Sequence, residues 1–183
     1  DLERMKYRPD SYYNEMAVKP KLGIKAVKLM PEEHKVVLED GEELPYGKLL
    51  VATGSTPFVP SFEGLDTVEK KFTFLSLDDA KALEAALTPE SRVLILGAGL
   101  IGLKCAEGIA RRVKSIEVAD LASQVLPSIL DEAGAKRVQA RLEGQGLTFH
   151  LGDTAVKFQG NTAHLKSGGT VDFDVLVLAV GVR

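Results

Sequence analysis

The residues best placed to do chemistry are three glycines and an aspartate. Residues 92–112 read RVLILGAGLIGLKCAEGIARR, with glycines at Gly97, Gly99 and Gly102, and Asp120 follows 18 residues after the last. Each glycine answers a different steric demand. Gly97 lets the chain reverse tightly after a strand, Gly99 lets a pyrophosphate approach the backbone, and Gly102 lets the next helix pack close on that strand. Leu100 and Ile101 open this helix, whose free N–H groups and positive dipole end face the phosphates. Asp120 closes the following strand, near the roughly 20-residue separation typical of such sites, and is placed to accept hydrogen bonds from ribose hydroxyls. A tight strand–helix turn that binds nothing would leave that acid unexplained. The pattern predicts a dinucleotide site. With no arginine among Leu121, Ala122, Ser123 and Gln124 to meet a 2′-phosphate, it favours NADH over NADPH.

Other reactive side chains carry less. His34 reads as a solvated histidine at the start of a strand, with no second histidine or carboxylate pattern beside it. Cys105 reads as a small core residue. As the single cysteine, it excludes an internal disulfide and Cys-x-x-Cys chemistry within this chain, which fits a reducing cytoplasm. No acid–base dyad, Ser/His/Asp set or metal-ligand cluster is visible.

The elements that position the site follow from periodicity and turn chemistry. Tyr7, Tyr12, Tyr13 and Met16 leave two readings, one face of a short helix over 9–16 or, preferred, packing under a part of the protein that precedes them. Strands are predicted at 21–30, 34–39 and 43–46, with Asp40-Gly41 as a turn, and at 48–52, ending in Thr53-Gly54-Ser55. Pro57, Pro60 and Gly64 make 55–66 linker-like, a candidate boundary. Ser76 and Asp79 cap a helix over 77–87. After the glycine loop, Gly102, Ala106, Ile109 and Val113 are expected to face the sheet, with Glu107 and Arg111 as an i,i+4 pair. A strand at 115–119, a helix at 128–143 and a strand at 147–151 come next. A small meander follows over 154–158, 163–166 and 170–173, turning at Gly160-Asn161 and Gly168-Gly169, and 174–180 is a final buried strand. The expected fold class is α/β: a Rossmann-like dinucleotide-binding domain with a small β-meander, preceded by strands of another unit.

Bulk properties bound the function. The chain has 183 residues, is 45% hydrophobic and 27% charged, and carries a net charge of −3. No basic block points to nucleic acid, and no apolar run approaches the roughly 18 residues of a membrane helix. The missing initial Met and the end at Val182-Arg183 suggest a piece of a longer chain.

Four stretches, LPYGKLLVATGSTP, LILGAGLIGLKCAEGIA, VADLASQVLPSILDE and DVLVLAVGVR, carry a resemblance that spans nearly the whole chain. Together they resemble the pyridine nucleotide–disulfide oxidoreductases, in the branch of NADH oxidases, rubredoxin and ferredoxin reductases, nitrite reductases and coenzyme A disulfide reductases. The resemblance implies an NAD domain inserted within an FAD domain. Residues 1–55 would be the trailing part of an FAD-domain segment, and residues 56–183 the NAD(P)-binding domain. It implies that Thr53 and Gly54 touch FAD, that Ala26 lies near its adenine, and that Val180 and Gly181 flank the nicotinamide half of NAD. It further implies a longer, homodimeric parent that passes hydride from NADH to FAD and electrons to an unidentified acceptor, with this piece inactive and flavin-free by itself. Lys104 stands where the family often has a glutamate close to the flavin–nicotinamide contact. Its alternatives are a solvent-facing lysine or a charge at the nicotinamide edge. A non-catalytic NAD(H) sensor of the same fold is the competing function.

Overall fold

The computed structural model describes residues 5–182; residues 1–4 and 183, at the outer edges of the two predicted segments, lie outside the described residues. The chain divides into two compact units, one up to Thr53 and one from Gly54 onward.

The first unit holds a one-turn helix α1 (Tyr12–Glu15) and strands β1 (Ala26–Met30), β2 (Lys35–Leu38) and β3 (Glu43–Pro45). These form an antiparallel sheet in the order β1-β2-β3. The Asp40-Gly41 turn forms as predicted: Gly41 has a φ of +88°, and the Asp40 carboxylate accepts the Glu42 N–H at 2.9 Å. Three expectations are corrected. The first strand begins at Ala26, not residue 21. His34 sits in the left-handed region after a 3-10 turn over Pro31–Glu33, with its ring against Tyr46, and the strand starts one residue later. Residues 48–52 are not a strand: Leu50 is 87% exposed, and among the described residues no strand pairs with this run. An apolar run becomes a strand only where another edge takes its N–H and C=O groups.

The second unit is built on a parallel five-stranded sheet. Its strands are β4 (Lys71–Thr73), β5 (Arg92–Leu96), β6 (Ser115–Asp120), β7 (Leu147–Leu151) and β11 (Val175–Leu178), in the order β4-β11-β5-β6-β7. Helices α2 (Leu77–Ala86), α3 (Leu100–Ile109) and α4 (Glu132–Glu143) connect them. A meander of β8 (Ala155–Gln159), β9 (Thr162–Leu165) and β10 (Thr170–Asp172) precedes β11. Val93 and Ile95 pack with the helix residues Leu83, Ala106 and Ile109 on one face. Leu94 and Leu96 pack with the meander residues Phe158, Ala163 and Phe173 on the other. This explains why β5 and β11 read as continuous apolar runs without alternation: both of their faces are buried. This is an α/β Rossmann-like fold.

The predicted capping box forms. Ser76 accepts the Asp79 N–H, and Asp79 accepts the Ser76 N–H. The next helix boundaries differ from expectation. α3 ends at Ile109, so Arg111 lies beyond it, and Glu107 pairs instead with Lys104 at 2.8 Å. Val113 also lies beyond the helix, yet packs on the same core. α4 starts at Glu132 rather than residue 128, because Asp131 is the cap and accepts the Gly134 N–H at 2.8 Å. β4 was not foreseen. No helix among the described residues is long and apolar enough to cross a membrane.

Candidate functional site: a cleft at the carboxyl edge of the sheet

The strand order reverses at β5, whose chain continues to β6 on one side while β11 arrives on the other. In open α/β sheets, the crevice beyond the carboxyl ends at such a reversal is where ligands bind. Here that crevice is a cleft of about 780 Å³, within the size range of small-molecule and cofactor pockets.

The glycine loop forms its floor. Gly97 has a φ of +114°, and a Cβ there would come within 2.3 Å of the Ala179 carbonyl oxygen. A Cβ on Gly102 would meet the Gly97 carbonyl oxygen at 2.0 Å. These two glycines therefore serve close packing of α3 and β5 against the end of β11. Gly99 differs: its φ is ordinary, at −77°, and a Cβ on it would meet nothing within 4 Å. Its missing side chain leaves open space in the cleft rather than room for the protein's own atoms. Gly99 is also the N-cap of α3 and makes no side-chain cap, so the first-turn N–H groups at Leu100 and Ile101 are presented at the cleft.

Asp120 lines the cleft at the end of β6. Its Oδ2 accepts the Ala98 N–H at 2.6 Å, and its Oδ1 accepts the Ala122 N–H at 2.7 Å. An ionised carboxylate has room for about four such bonds, so acceptor capacity remains. Val180 and Gly181 line the far side, where the Phe58 N–H donates to the Gly181 carbonyl at 2.9 Å and Pro57 bridges to Val182. The cleft thus gathers Gly97, Gly99, Leu100, Ile101, Asp120, Val180 and Gly181. Gly102 lies behind the loop. Ala26, Thr53 and Gly54 are all exposed.

Several lining residues were missed. Phe58, Pro60 and Phe62 come from the stretch read as linker, and Thr154 from the corner after β7. The signal available for the first group was an aromatic pair spaced by four residues within a proline-rich loop. Thr154 is held by Asp153, whose carboxylate accepts the Thr154 N–H at 2.8 Å and the Ser167 N–H at 3.2 Å. The Ser167 hydroxyl bond is the main reason the Asp153 carboxyl lies below its usual range. Cys105 is fully buried, and burial pushes its thiol up to about 12, so it is not a nucleophile. Lys104 does not line the cleft; its Nζ pairs with Glu107 on the exposed face of α3.

The residues fit a dinucleotide. They offer an open backbone at Gly99 for phosphate, a carboxylate with spare acceptors for ribose, and mainly apolar walls for rings.

Comparison with known proteins gives a family. The profile described as pyridine nucleotide-disulphide oxidoreductase matches residues 6–183. The chain is 30% identical to the NADH-dependent phenylglyoxylate dehydrogenase subunit epsilon of Aromatoleum evansii, covering 99% of this chain and 44% of that protein. It is 32% identical to the rubredoxin-NAD(+) reductase of Pseudomonas putida, covering 95% of this chain and 46% of the relative. A solved FAD-dependent pyridine nucleotide-disulphide oxidoreductase from Desulfovibrio vulgaris superposes with a TM-score of 0.73 at 27% identity, over 87% of this chain and 43% of that one. The chain therefore spans less than half the length of these relatives. It belongs to the pyridine nucleotide-disulphide oxidoreductase family.

Proposed function

We propose that this chain is the NAD(H)-binding part of an FAD-dependent oxidoreductase that takes hydride from NADH and sends electrons to an acceptor outside this chain. The observation that carries the proposal is the cleft that joins the open Gly99 backbone, the Asp120 carboxylate and the Val180-Gly181 edge.

In this reading, the Gly99 backbone and the first turn of α3 hold the pyrophosphate, where the helix N-terminus favours negative charge. Asp120 accepts the adenosine ribose hydroxyls and repels a 2′-phosphate, so NADH is preferred over NADPH. Val180, Gly181 and Phe58 seat the nicotinamide half and keep water from it. FAD, when bound in the whole protein, supplies the hydride-accepting and electron-passing chemistry. Residues 1–55 are its partial domain and 56–183 the NAD domain, with Ala26, Thr53 and Gly54 turned to the flavin. Cytoplasmic placement and a homodimeric parent belong to the same reading.

The test is anaerobic addition of NADH to the full-length protein. Bleaching of a bound flavin with NADH, and far slower bleaching with NADPH, is the expected result. NADH binding in a protein that carries no flavin would replace this reading with a non-catalytic sensor of the same fold.

A further inference from the structure

The peptide of Ala98 sits between Gly97 and Gly99, two residues with the widest conformational freedom. Left alone, this stretch would sample many shapes. Yet Ala98 is fully buried, and each of its polar groups is taken. Its N–H donates to Asp120 Oδ2 at 2.6 Å, and its carbonyl accepts the Leu126 N–H at 2.9 Å. Just before it, the Gly97 N–H donates to the Ala119 carbonyl at 2.8 Å. The same Asp120 carboxylate reaches forward to the Ala122 N–H at 2.7 Å, and the Ala122 carbonyl accepts the Gly152 N–H at 2.8 Å. Leu126 holds its end of this arrangement in the left-handed region, at a φ of +50°. A leucine adopts that conformation only where its surroundings fix it.

We propose that Asp120 is a positioning residue for the phosphate cradle: its carboxylate ties the glycine loop at Ala98 to the 121–126 loop at Ala122 and sets the cradle's shape before any dinucleotide arrives. This rests on the dinucleotide reading above and adds to it a second task for the same side chain. Its consequence concerns ligands that make no ribose contact. If Asp120 touched only the ribose, its removal would weaken only ligands that carry the ribose hydroxyls. Because it also holds the loop, Asp120→Ala weakens a dinucleotide without those hydroxyls as well, leaving the buried Ala98 N–H without its acceptor.

Two readouts test this on the purified chain. The first is amide hydrogen exchange without ligand, compared in wild type, Asp120→Ala and Asp120→Asn. The Ala98 and Ala122 amides are expected to exchange about tenfold faster or more in Asp120→Ala, relative to amides within β5 and β11. Asp120→Asn, which keeps one acceptor oxygen, should fall between, and it serves alone if the alanine variant does not fold. The second is titration with NADH and with an NADH analogue lacking the 2′- and 3′-hydroxyls of the adenosine ribose. Affinity for the analogue should drop about tenfold in Asp120→Ala, as expected for loss of a charge-assisted bond. Unchanged exchange at Ala98 together with unchanged analogue affinity would overturn the proposal. If wild type binds neither ligand, the dinucleotide reading fails, while exchange at Ala98 still decides whether Asp120 holds the loop.

Discussion

Asp120 and Asp174 stand at opposite ends of the same parallel sheet, and their surroundings divide them. Asp174 precedes β11 at the amino edge. Its Oδ2 accepts the Arg92 backbone N–H at 2.8 Å and Nε at 3.1 Å, and its Oδ1 accepts the Arg92 Nη2 at 2.9 Å. The Arg92 guanidinium pulls the Asp174 carboxyl from 3.8 down to about 2. Asp120, at the carboxyl edge, holds two neutral backbone N–H groups, and among the described residues no cation pairs with it. One carboxylate is spent on its own chain. The other holds two backbone N–H groups and also lines a cleft. Residue type alone does not separate an acid paired with a cation from one that lines a cleft; the nearby counter-charge does.

The sharpest way to break this comparison is at the carboxyl edge. Gly97→Ala forces a side chain into a φ of +114° and against the Ala179 carbonyl. The expected loss is about 3 kcal/mol or more, from backbone strain and the clash together. Urea unfolding measures it; a loss below about 1 kcal/mol would mean the loop is not built by this close approach.

At the amino edge, the effect is smaller. Asp174→Asn should cost roughly 1 kcal/mol or less at neutral pH, since the pair is more than a third exposed and screened by solvent. The depressed carboxyl makes the pair stabilising above about pH 4, and that contribution is lost as pH falls toward 2. Wild type should therefore lose stability across this window more steeply than Asp174→Asn. Parallel acid unfolding curves would contradict the assignment.

Lys104→Glu has the least expected effect. It replaces an exposed pair with like charges three residues apart on α3, so the melting temperature should barely move. The flavin-reduction rate of the intact protein should not change; a changed rate would place Lys104 at the nicotinamide edge after all.

The sequence made the carboxyl edge legible because its steric demands are local. A glycine between Leu96 and Ala98, or at the third turn position, announces itself by type. The Ser76–Asp79 box and the Asp40-Gly41 turn were readable for the same reason. What could not be read depended on distant partners. β4, the three residues KFT, is a strand only because β11 pairs with it. The run at 48–52 has the composition of a strand but no pairing strand among the described residues. Phe58 and Phe62 looked like linker because the cleft that they line is closed by residues more than a hundred positions later. The hold of Asp120 on Ala98 is likewise invisible in spacing.

The most direct measurement is a fluorescence titration of NADH into the purified chain, wild type beside Gly99→Val, with melting curves for both. Gly99 has an ordinary φ and open space where a side chain would go, so the variant should melt close to wild type. Its valine would nevertheless occupy the place of the pyrophosphate. Saturable binding by wild type and a loss of more than about 100-fold in the folded variant, equivalent to roughly 2.8 kcal/mol, is the result expected. Equal NADH affinity in both folded proteins would contradict the account, because the glycine loop would then not be where the phosphates lie.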